Sequence, residues 1–120
     1  MREVIAIIRM NKMERTKDML ASSGYPSITV NKVCGRGKQR GLELFAASEF
    51  CSEEVKARRM IYIPKLMISL MVEDHAVSEV VDLITGVNRT GEIGDGRIFI
   101  SGVEDAVRIR TGERGDYAID

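Results

Sequence analysis

The chain has 120 residues, 44% of them hydrophobic, so it is long enough for one compact domain spanning residues 1–120 and too apolar to be disordered. Its 18 lysines and arginines balance its 18 aspartates and glutamates, which excludes a net field that attracts nucleic acid or acidic membranes. Because no run reaches the ~20 apolar residues of a membrane span, we expect a cytoplasmic protein with no nucleic-acid partner and no direct membrane insertion.

Three regular elements are predicted before residue 36. Residues 4–8 form a short β-rich run, and residues 12–23 carry apolar and small side chains at helical spacing. The sequence Gly24-Tyr25-Pro26 ends this helix, and residues 28–33 alternate as a second strand. The buried face of the helix is predicted to consist of Met13, Thr16 and Leu20.

A long loop is predicted to follow the second strand. Residues 36–60 have no sustained period, are rich in charged and small side chains, and exceed the usual connection length inside a compact domain. Such a segment is functional or disordered. The two cysteines, Cys34 near its start and Cys51 within it, lack metal-ligand spacing, and we expect free thiols because no secretory signal is present.

The second half of the chain repeats the strand and helix pattern. Residues 61–72 alternate as a strand, Asp74 occupies an N-cap position, and a helix follows with Val77, Val80 and Ile84 on one face. Residues 97–101 form a fourth strand, which residues 103–110 extend irregularly. One face of the 61–72 strand is core, and the other is half apolar: the core set is Leu66, Ile68, Leu70 and Val72, and the opposite set is Lys65, Met67, Ser69 and Met71.

The resulting order, βαββαβ, is that of an α+β ferredoxin-like sandwich with two helices on one face of an antiparallel sheet. The other face of the sheet then needs cover. Because Met67 and Met71 lie on that half-apolar face, we expect it to pack against other subunits in a homo-oligomer.

Three segments pair glycine with a cation: residues 35–38, 94–97 and 108–112. Glycine lets successive amides turn toward an anion, and an adjacent Lys or Arg offsets phosphate charge. On an extended strand, Arg108 and Arg110 would lie on one face about 7 Å apart and could fork a polyphosphate. Each segment alone is equally a tight turn beside a solvated arginine; the three together favour a nucleotide site.

Other polar residues have simpler interpretations. Lys65 within an apolar strand is usually a snorkelling edge residue, Gln39 a polar loop residue, and His75 an exposed residue beside a helix start. No combination of nucleophile, base and orienting group is visible, so we expect no enzyme activity. An RNA-binding sheet is disfavoured by the low aromatic content and the lack of a basic excess. An acylphosphatase-like enzyme would need an arginine phosphate loop and a partnered asparagine, and the motifs of this sequence are of a different kind.

Two long motifs carry a resemblance to a known family. Residues 90–99, Thr-Gly-Glu-Ile-Gly-Asp-Gly-Arg-Ile-Phe, resemble the signature of PII nitrogen-regulatory proteins, and residues 108–113, Arg-Ile-Arg-Thr-Gly-Glu, resemble their carboxy-terminal loop. The resemblance also covers residues 5–8, 35–39 and 63–65, and omits only the loop centre and the last few residues. The carboxy-terminal tail is expected at about residues 111–120. The resemblance implies a trimer of the ferredoxin-like fold, with ATP or ADP bound in clefts between subunits.

The resemblance assigns ligand roles to individual residues. Thr29 and Met71 would lie near the adenine and Ile7 near the cleft. The phosphates would be surrounded by Gly35, Gly37, Lys38, Gly94, Asp95, Gly96, Arg97, Arg108 and Arg110. A Mg²⁺ ion held by the ATP phosphates and Gln39 would coordinate 2-oxoglutarate, whose remaining contacts would come from Arg40, Gly41 and Lys65. Because two anions repel each other, 2-oxoglutarate binding would require Mg-ATP, and ADP would support it less well.

The long loop, at about residues 36–60, is the segment with which the family contacts its targets. Phe50 stands where other members carry a uridylylated tyrosine, which excludes that modification, and Ala46 stands about where transporter-blocking members carry an arginine. The loop is also longer than in common bacterial members. The residues expected to contact the partner are Phe45, Phe50, Glu53, Glu54, Arg58 and Arg59.

The long loop, together with residues 62–65 and 87–91, is similar to the PII branch associated with nitrogenase in methanogens and anaerobic bacteria. This similarity implies that the protein binds and inhibits dinitrogenase at low 2-oxoglutarate and releases it when ATP and 2-oxoglutarate bind. It also implies a homotrimer, or a heteromeric assembly with a paralogous subunit. The alternative target is an ammonium transporter, or another protein of nitrogen assimilation such as glutamine synthetase.

Overall fold

The computed structural model describes residues 1–35 and 63–119. These residues form an antiparallel four-stranded sheet of order β2-β3-β1-β4 with two helices, which confirms the predicted ferredoxin-like α+β fold. The predicted loop at residues 36–60 lies outside the described residues. The strands are β1 Arg2–Ile8, β2 Thr29–Gly35, β3 Ile63–Val72 and β4 Arg97–Gly102, and the helices are α1 Met13–Ser22 and α2 Val77–Asn88.

The core lies between the sheet and the helices. Alternate residues of the two central strands point into it, as the two-residue period requires. The predicted core face of β3 is confirmed, and so are the buried faces of both helices, where Leu20, Val80 and Ile84 are at most 1% exposed. The core strand residues are Val4, Ala6, Ile8, Leu66, Ile68, Leu70 and Val72.

The start of α2 differs from the prediction. A 3₁₀ turn, Asp74–Ala76, precedes α2, and no side chain caps that turn or the helix. The Asp74 carboxylate instead accepts a hydrogen bond from the Met1 amino group and lies 3.7 Å from Arg2 Nε, and these contacts lower the pKa of Asp74. Neither helix in the described part of the chain is long and apolar enough to cross a membrane.

The chain after β4 does not continue as an extended strand. It leaves the sheet at Gly102 and folds into a tight turn, in which the Gly112 N–H donates to the Arg108 carbonyl at 2.7 Å. An isolated β-bridge between Val107 and Arg114 closes the base of this turn, and a 3₁₀ turn at Gly115–Ala118 follows. The premise that Arg108 and Arg110 share one face of a strand is therefore wrong, because the backbone turns between them.

Cys34 is near the end of β2, opposite Pro64 of β3. It is bonded in a disulfide, so the expectation of a free thiol is wrong for this residue. Cys51 lies outside the described residues.

Candidate nucleotide and effector site

Several of the predicted ligand residues meet at one end of the sheet. There β1 and β2 end while β3 and β4 begin, because all neighbouring strands are antiparallel. Ile7 lies opposite both Met67 and Arg97, and Gly35 lies opposite Ile63. The segment that joins α2 to β4, residues 89–96, which we call the 89–96 loop, therefore lies beside the start of β3 and the end of β1.

Asp95 organises the 89–96 loop. Its carboxylate accepts hydrogen bonds from the backbone N–H groups of Thr90 and Gly91, both at 2.9 Å, and from the Thr90 hydroxyl. The Arg9 guanidinium donates a further bond to it at 2.7 Å. The Thr90 hydroxyl and amide, followed by Arg9 and Gly91, hold the pKa of Asp95 well below its usual range. The Asp95 oxygens thus accept hydrogen bonds from the loop and from Arg9. The predicted position of Asp95 beside the phosphates stays a prediction.

Two cations bind main-chain carbonyls of the same loop. Arg9 donates to the Ile93 carbonyl at 3.0 Å, and Lys65 Nζ donates to the Gly94 carbonyl at 2.7 Å. Lys65 is only 8% exposed and lies on an interior strand, so the interpretation of a snorkelling edge residue is wrong. Burial, and then the charge of Arg9, lowers the pKa of Lys65, while Asp95 opposes that shift.

Arg9 was missed by the sequence analysis. Its role depends on partners 84 and 86 residues away in the chain, so no local motif marks it. The only local signal is that Arg9 directly follows β1. A cation at the end of a strand can contact the loops that lie at the same end of the sheet.

Gly94 and Gly96 have φ angles of 103° and 107°, which side chains rarely adopt. At Gly96 the constraint is also steric, because a Cβ there would lie 1.9 Å from the Ile7 carbonyl oxygen. The loop thus approaches the β1 backbone more closely than any residue with a side chain permits. Arg97 follows directly and is exposed, and within residues 1–35 and 63–119 its side chain has no hydrogen bond or ion pair.

The carboxy-terminal arginines belong to the separate turn after β4. Arg108 donates to Glu113 Oε2 at 2.9 Å and to the Tyr117 carbonyl at 3.0 Å. Arg110 is exposed at the tip of the turn. The structure therefore presents these two side chains from a short hairpin, and their predicted contacts with phosphate stay predictions.

The two predicted adenine contacts lie toward the opposite end of β2 and β3. Thr29 is opposite Ser69, and Met71, which is 39% exposed, borders a cavity of about 410 Å³ with Tyr25 and His75. Met71 is six positions after Lys65 along β3, which corresponds to a distance of roughly 20 Å. Within one chain, Met71 is therefore far from Lys65 and from the 89–96 loop that Lys65 contacts.

Many predicted residues cannot be placed. The following lie outside the described residues: Gly37, Lys38, Gln39, Arg40, Gly41, Phe45, Phe50, Glu53, Glu54, Arg58 and Arg59. Within the described part of the chain, no group of three or more His, Cys, Asp or Glu side chains is arranged to hold a metal ion. The predicted Mg²⁺ ion, with phosphate oxygens and Gln39 as ligands, stays a prediction because Gln39 lies outside the described residues.

Comparisons with known proteins agree with the fold. The family model for nitrogen regulatory protein P-II matches residues 1–113. A relative named nitrogen fixation nifHD region GlnB-like protein 2, from Methanothermobacter marburgensis, is 50% identical, and the alignment covers 99% of this chain and 100% of the relative. Its namesake from Methanococcus maripaludis is 45% identical, with the same coverage. A nitrogen regulatory protein P-II from Microchaete diplosiphon is 44% identical over 99% of this chain and all of its own length. The chain therefore belongs to the P-II family of nitrogen regulatory proteins.

Proposed function

We propose that this protein is a nitrogen-status signal transducer that binds ATP or ADP and 2-oxoglutarate and regulates nitrogenase. It would bind and inhibit dinitrogenase when 2-oxoglutarate is low, and ATP with 2-oxoglutarate would release the enzyme. It would act by stoichiometric binding and not as an enzyme. The observation that carries the proposal is the buried Lys65 bound to the glycine-rich 89–96 loop, in a chain whose relatives are named for the nitrogen fixation region.

The 89–96 loop has the features of a phosphate site. Gly94 and Gly96 have positive φ angles and no Cβ, which would let their amides turn toward an anion, and Gly35 lies at the same end of the sheet. Arg97 stands next to them as an exposed cation without a partner in the described chain. A polyphosphate laid along this end would meet main-chain donors and positive charge together.

The separation between the two predicted halves of the nucleotide site supports an assembly. Lys65 and the 89–96 loop lie at one end of the sheet, whereas Met71 lies roughly 20 Å away along β3. A nucleotide between two subunits would take its phosphate contacts from one and its adenine contacts from the other. The half-apolar sheet face supports this arrangement, since Phe99 is 50% exposed and lies opposite Ile5 of β1. We propose a homotrimer, or a heteromeric assembly with a paralogue.

Lys65 would link the effector to the loop. Its Nζ now donates to the Gly94 carbonyl, and burial has already lowered its pKa. A 2-oxoglutarate carboxylate would be a stronger acceptor for this ammonium than a neutral carbonyl. Binding of the effector would then weaken one of the two cation contacts that hold the 89–96 loop, which couples effector binding to the phosphate site.

Calorimetric titration of 2-oxoglutarate with Mg-ATP, and then with Mg-ADP, tests this mechanism. We expect binding with ATP and much weaker binding with ADP. Lys65→Ala and Gln39→Ala should abolish effector binding while nucleotide binding persists. Lys17→Ala, on the exposed face of α1, is the matched control and should bind normally. Unchanged effector affinity in both site variants would contradict the assignment.

The target requires a separate experiment. Dinitrogenase turnover should fall when the protein and Mg-ADP are added, and should recover with Mg-ATP and 2-oxoglutarate. Two further relatives, 43% and 44% identical, are named only as nitrogen regulatory P-II proteins, without reference to nitrogen fixation. The alternative target is therefore an ammonium transporter or glutamine synthetase. Co-precipitation of one of those proteins, with no effect on dinitrogenase, would favour the alternative.

A further inference from the structure

The chain leaves the sheet at the end where Met71 lies. β4 ends at Gly102, which is opposite Arg2 of β1, and Arg2 is opposite Val72 of β3. Met71 directly precedes Val72 in β3. The residues after β4 therefore begin at the end of the sheet that holds the predicted adenine contact, and not at the end that holds the 89–96 loop.

The last described residues return to this end of the sheet. The 3₁₀ turn Gly115–Ala118 is followed by Ile119, which is partly buried and borders the cavity of about 410 Å³ beside Met71. The other walls of the cavity come from the segment between α1 and β2, the end of β3 and the turn before α2. Residues 115–119, which we call the strap, thus form one wall of the cavity that the predicted adenine contact borders.

Arg108 holds the strap at a second point. Its guanidinium donates to the Tyr117 carbonyl at 3.0 Å and to Glu113 Oε2 at 2.9 Å. The Arg108 backbone N–H also donates to the Glu113 carbonyl at 2.9 Å, which fixes the hairpin that carries this arginine. One short segment therefore contacts a predicted phosphate ligand, Arg108, and borders the cavity of a predicted adenine ligand, Met71.

The base of the strap is attached independently of Arg108. The Gly115 N–H donates to the Ala106 carbonyl and to Asp105 Oδ1, both at 3.1 Å, and Arg114 donates to Asp105 Oδ2 at 3.0 Å. These bonds do not involve the Arg108 side chain, so the base can stay in place when the bond to Tyr117 breaks. Gly115 has a φ angle of 72°, a conformation that favours glycine, and it marks the position where the strap can pivot.

We propose that the strap is an autoinhibitory element of the proposed nucleotide site and must move away from Arg108 and the Met71 cavity before a nucleotide binds. A phosphate is a charged acceptor and binds a guanidinium more strongly than the neutral Tyr117 carbonyl does. A nucleotide that binds Arg108 therefore removes one attachment of the strap, and its base gains the space beside Met71. This role of the strap rests on the proposed function, since the ligand is the same nucleotide.

The first test is a calorimetric titration of Mg-ATP into the full chain and into Ile119→Ser. The substitution removes the apolar contact at the cavity and leaves Arg108 and Met71 in place. Because a closed state lowers the apparent affinity by the fraction of open chains, we expect the variant to bind Mg-ATP about five- to tenfold more tightly than the parent. Met19→Ser replaces an apolar residue that is 41% exposed on α1, and this control should bind as the parent does.

A second measurement follows the strap directly. The chain has three tyrosines, of which Tyr117 is on the strap and Tyr25 lines the cavity. The protein is labelled with 3-fluorotyrosine, and the ¹⁹F signals are assigned with Tyr25→Phe and Tyr117→Phe. Ile119→Ser should shift both signals without nucleotide, and saturating Mg-ATP should move the Tyr117 signal of the parent toward its position in the variant.

The outcomes separate the strap from the proposed function. Equal affinity of the parent and Ile119→Ser for Mg-ATP would overturn the inhibitory role and leave the proposed function standing. Absence of Mg-ATP binding by both proteins would overturn the proposed function and the strap with it. A Tyr117 signal that does not move while Mg-ATP saturates the parent would also overturn the inhibitory role, because nucleotide and strap would then occupy the protein together.

Discussion

Replacement of Gly96 by alanine tests how the 89–96 loop is built. The new Cβ would lie 1.9 Å from the Ile7 carbonyl oxygen and 3.0 Å from its carbonyl carbon. Because real Cβ contacts are essentially never shorter than 3.0 Å, the two backbones must separate by about an ångström. Both atoms belong to the main chain, so no flexible side chain can absorb the movement.

Two costs combine in this variant. A side chain at φ 107° costs roughly 1–2 kcal/mol, since this region suits glycine. Overpacking against β1 costs a further 1–3 kcal/mol or so. We expect a loss of roughly 2–5 kcal/mol, a large share of the ~5–15 kcal/mol stability of an ordinary domain. The loop should also be displaced, and ATP affinity should fall with it.

Two glycine variants separate these costs in denaturant unfolding at one protein concentration. Gly91→Ala has φ 86° and open space around its Cβ, so it carries only the conformational cost of roughly 1–2 kcal/mol. Gly86→Ala lies within α2 with nothing nearby and should stabilise the protein by about 1 kcal/mol. If Gly96→Ala is no more destabilising than Gly91→Ala, the close approach to β1 is not real.

Three further predictions concern the polar contacts. Asp95→Asn should lower the thermal midpoint at pH 7, and the difference in midpoint between variant and parent should shrink as pH falls below about 4. The reason is that the pKa of Asp95 is lower in the folded than in the unfolded protein. The stability that the carboxylate contributes is therefore complete above its unfolded pKa and is lost as the carboxylate protonates. Arg9→Lys loses one of the two guanidinium bonds to the loop, worth about 1 kcal/mol, and the Gly91 amide, which Asp95 holds, should exchange about fivefold faster. Thr16→Val should cost about 1–3 kcal/mol because Asn88 loses an acceptor, and Asn88→Leu added to it should cost less than the sum of the two single changes.

Each of these has a control on the exposed surface of the same fold. Asp82→Asn should leave the difference between pH 7 and pH 3 unchanged, Arg15→Lys should not alter exchange in the loop, and Ser22→Ala should be nearly neutral. A constant gap between Asp95→Asn and the parent across the acid range would contradict the Asp95 assignment. Strict additivity of the Thr16 and Asn88 changes would mean that their contact carries no energy.

The fold could be predicted because its strongest signals are local. The alternation of apolar side chains in β3 and the helical spacing of apolar side chains in α2 can each be read from a few consecutive residues. A sheet with one face covered by helices requires both patterns. The two glycines of the 94–97 segment were equally visible in the sequence, and side chains rarely adopt the backbone conformations of Gly94 and Gly96. Local pattern also misled: the alternating arginines after β4 suggested a strand, whereas the hydrogen bond from Gly112 to Arg108 closes a turn.

The contacts that hold the site could not be predicted in this way. Arg9 and Asp95 are 86 residues apart, and Asn88 and Thr16 are 72 apart, so each pair exists only after the sheet and helices have formed. A sequence shows that Lys65 is a cation in an apolar strand, but not that the Gly94 carbonyl will accept its proton. Burial of polar groups is decided by tertiary partners, which a period of two or 3.6 residues does not contain.

The order of these contacts bears on how a ligand signal would begin. Asp95, Arg9 and Lys65 hold the 89–96 loop through contacts within the protein. These contacts would lower the ordering cost that a nucleotide meets at the proposed phosphate site. The free energy available for signalling would then come from protein contacts that a ligand replaces. The hydrogen bond from Lys65 to the Gly94 carbonyl is the one that an incoming carboxylate can replace. Lys65→Met should therefore leave loop exchange insensitive to 2-oxoglutarate, whereas Arg9→Lys should loosen the loop and preserve its response to the effector.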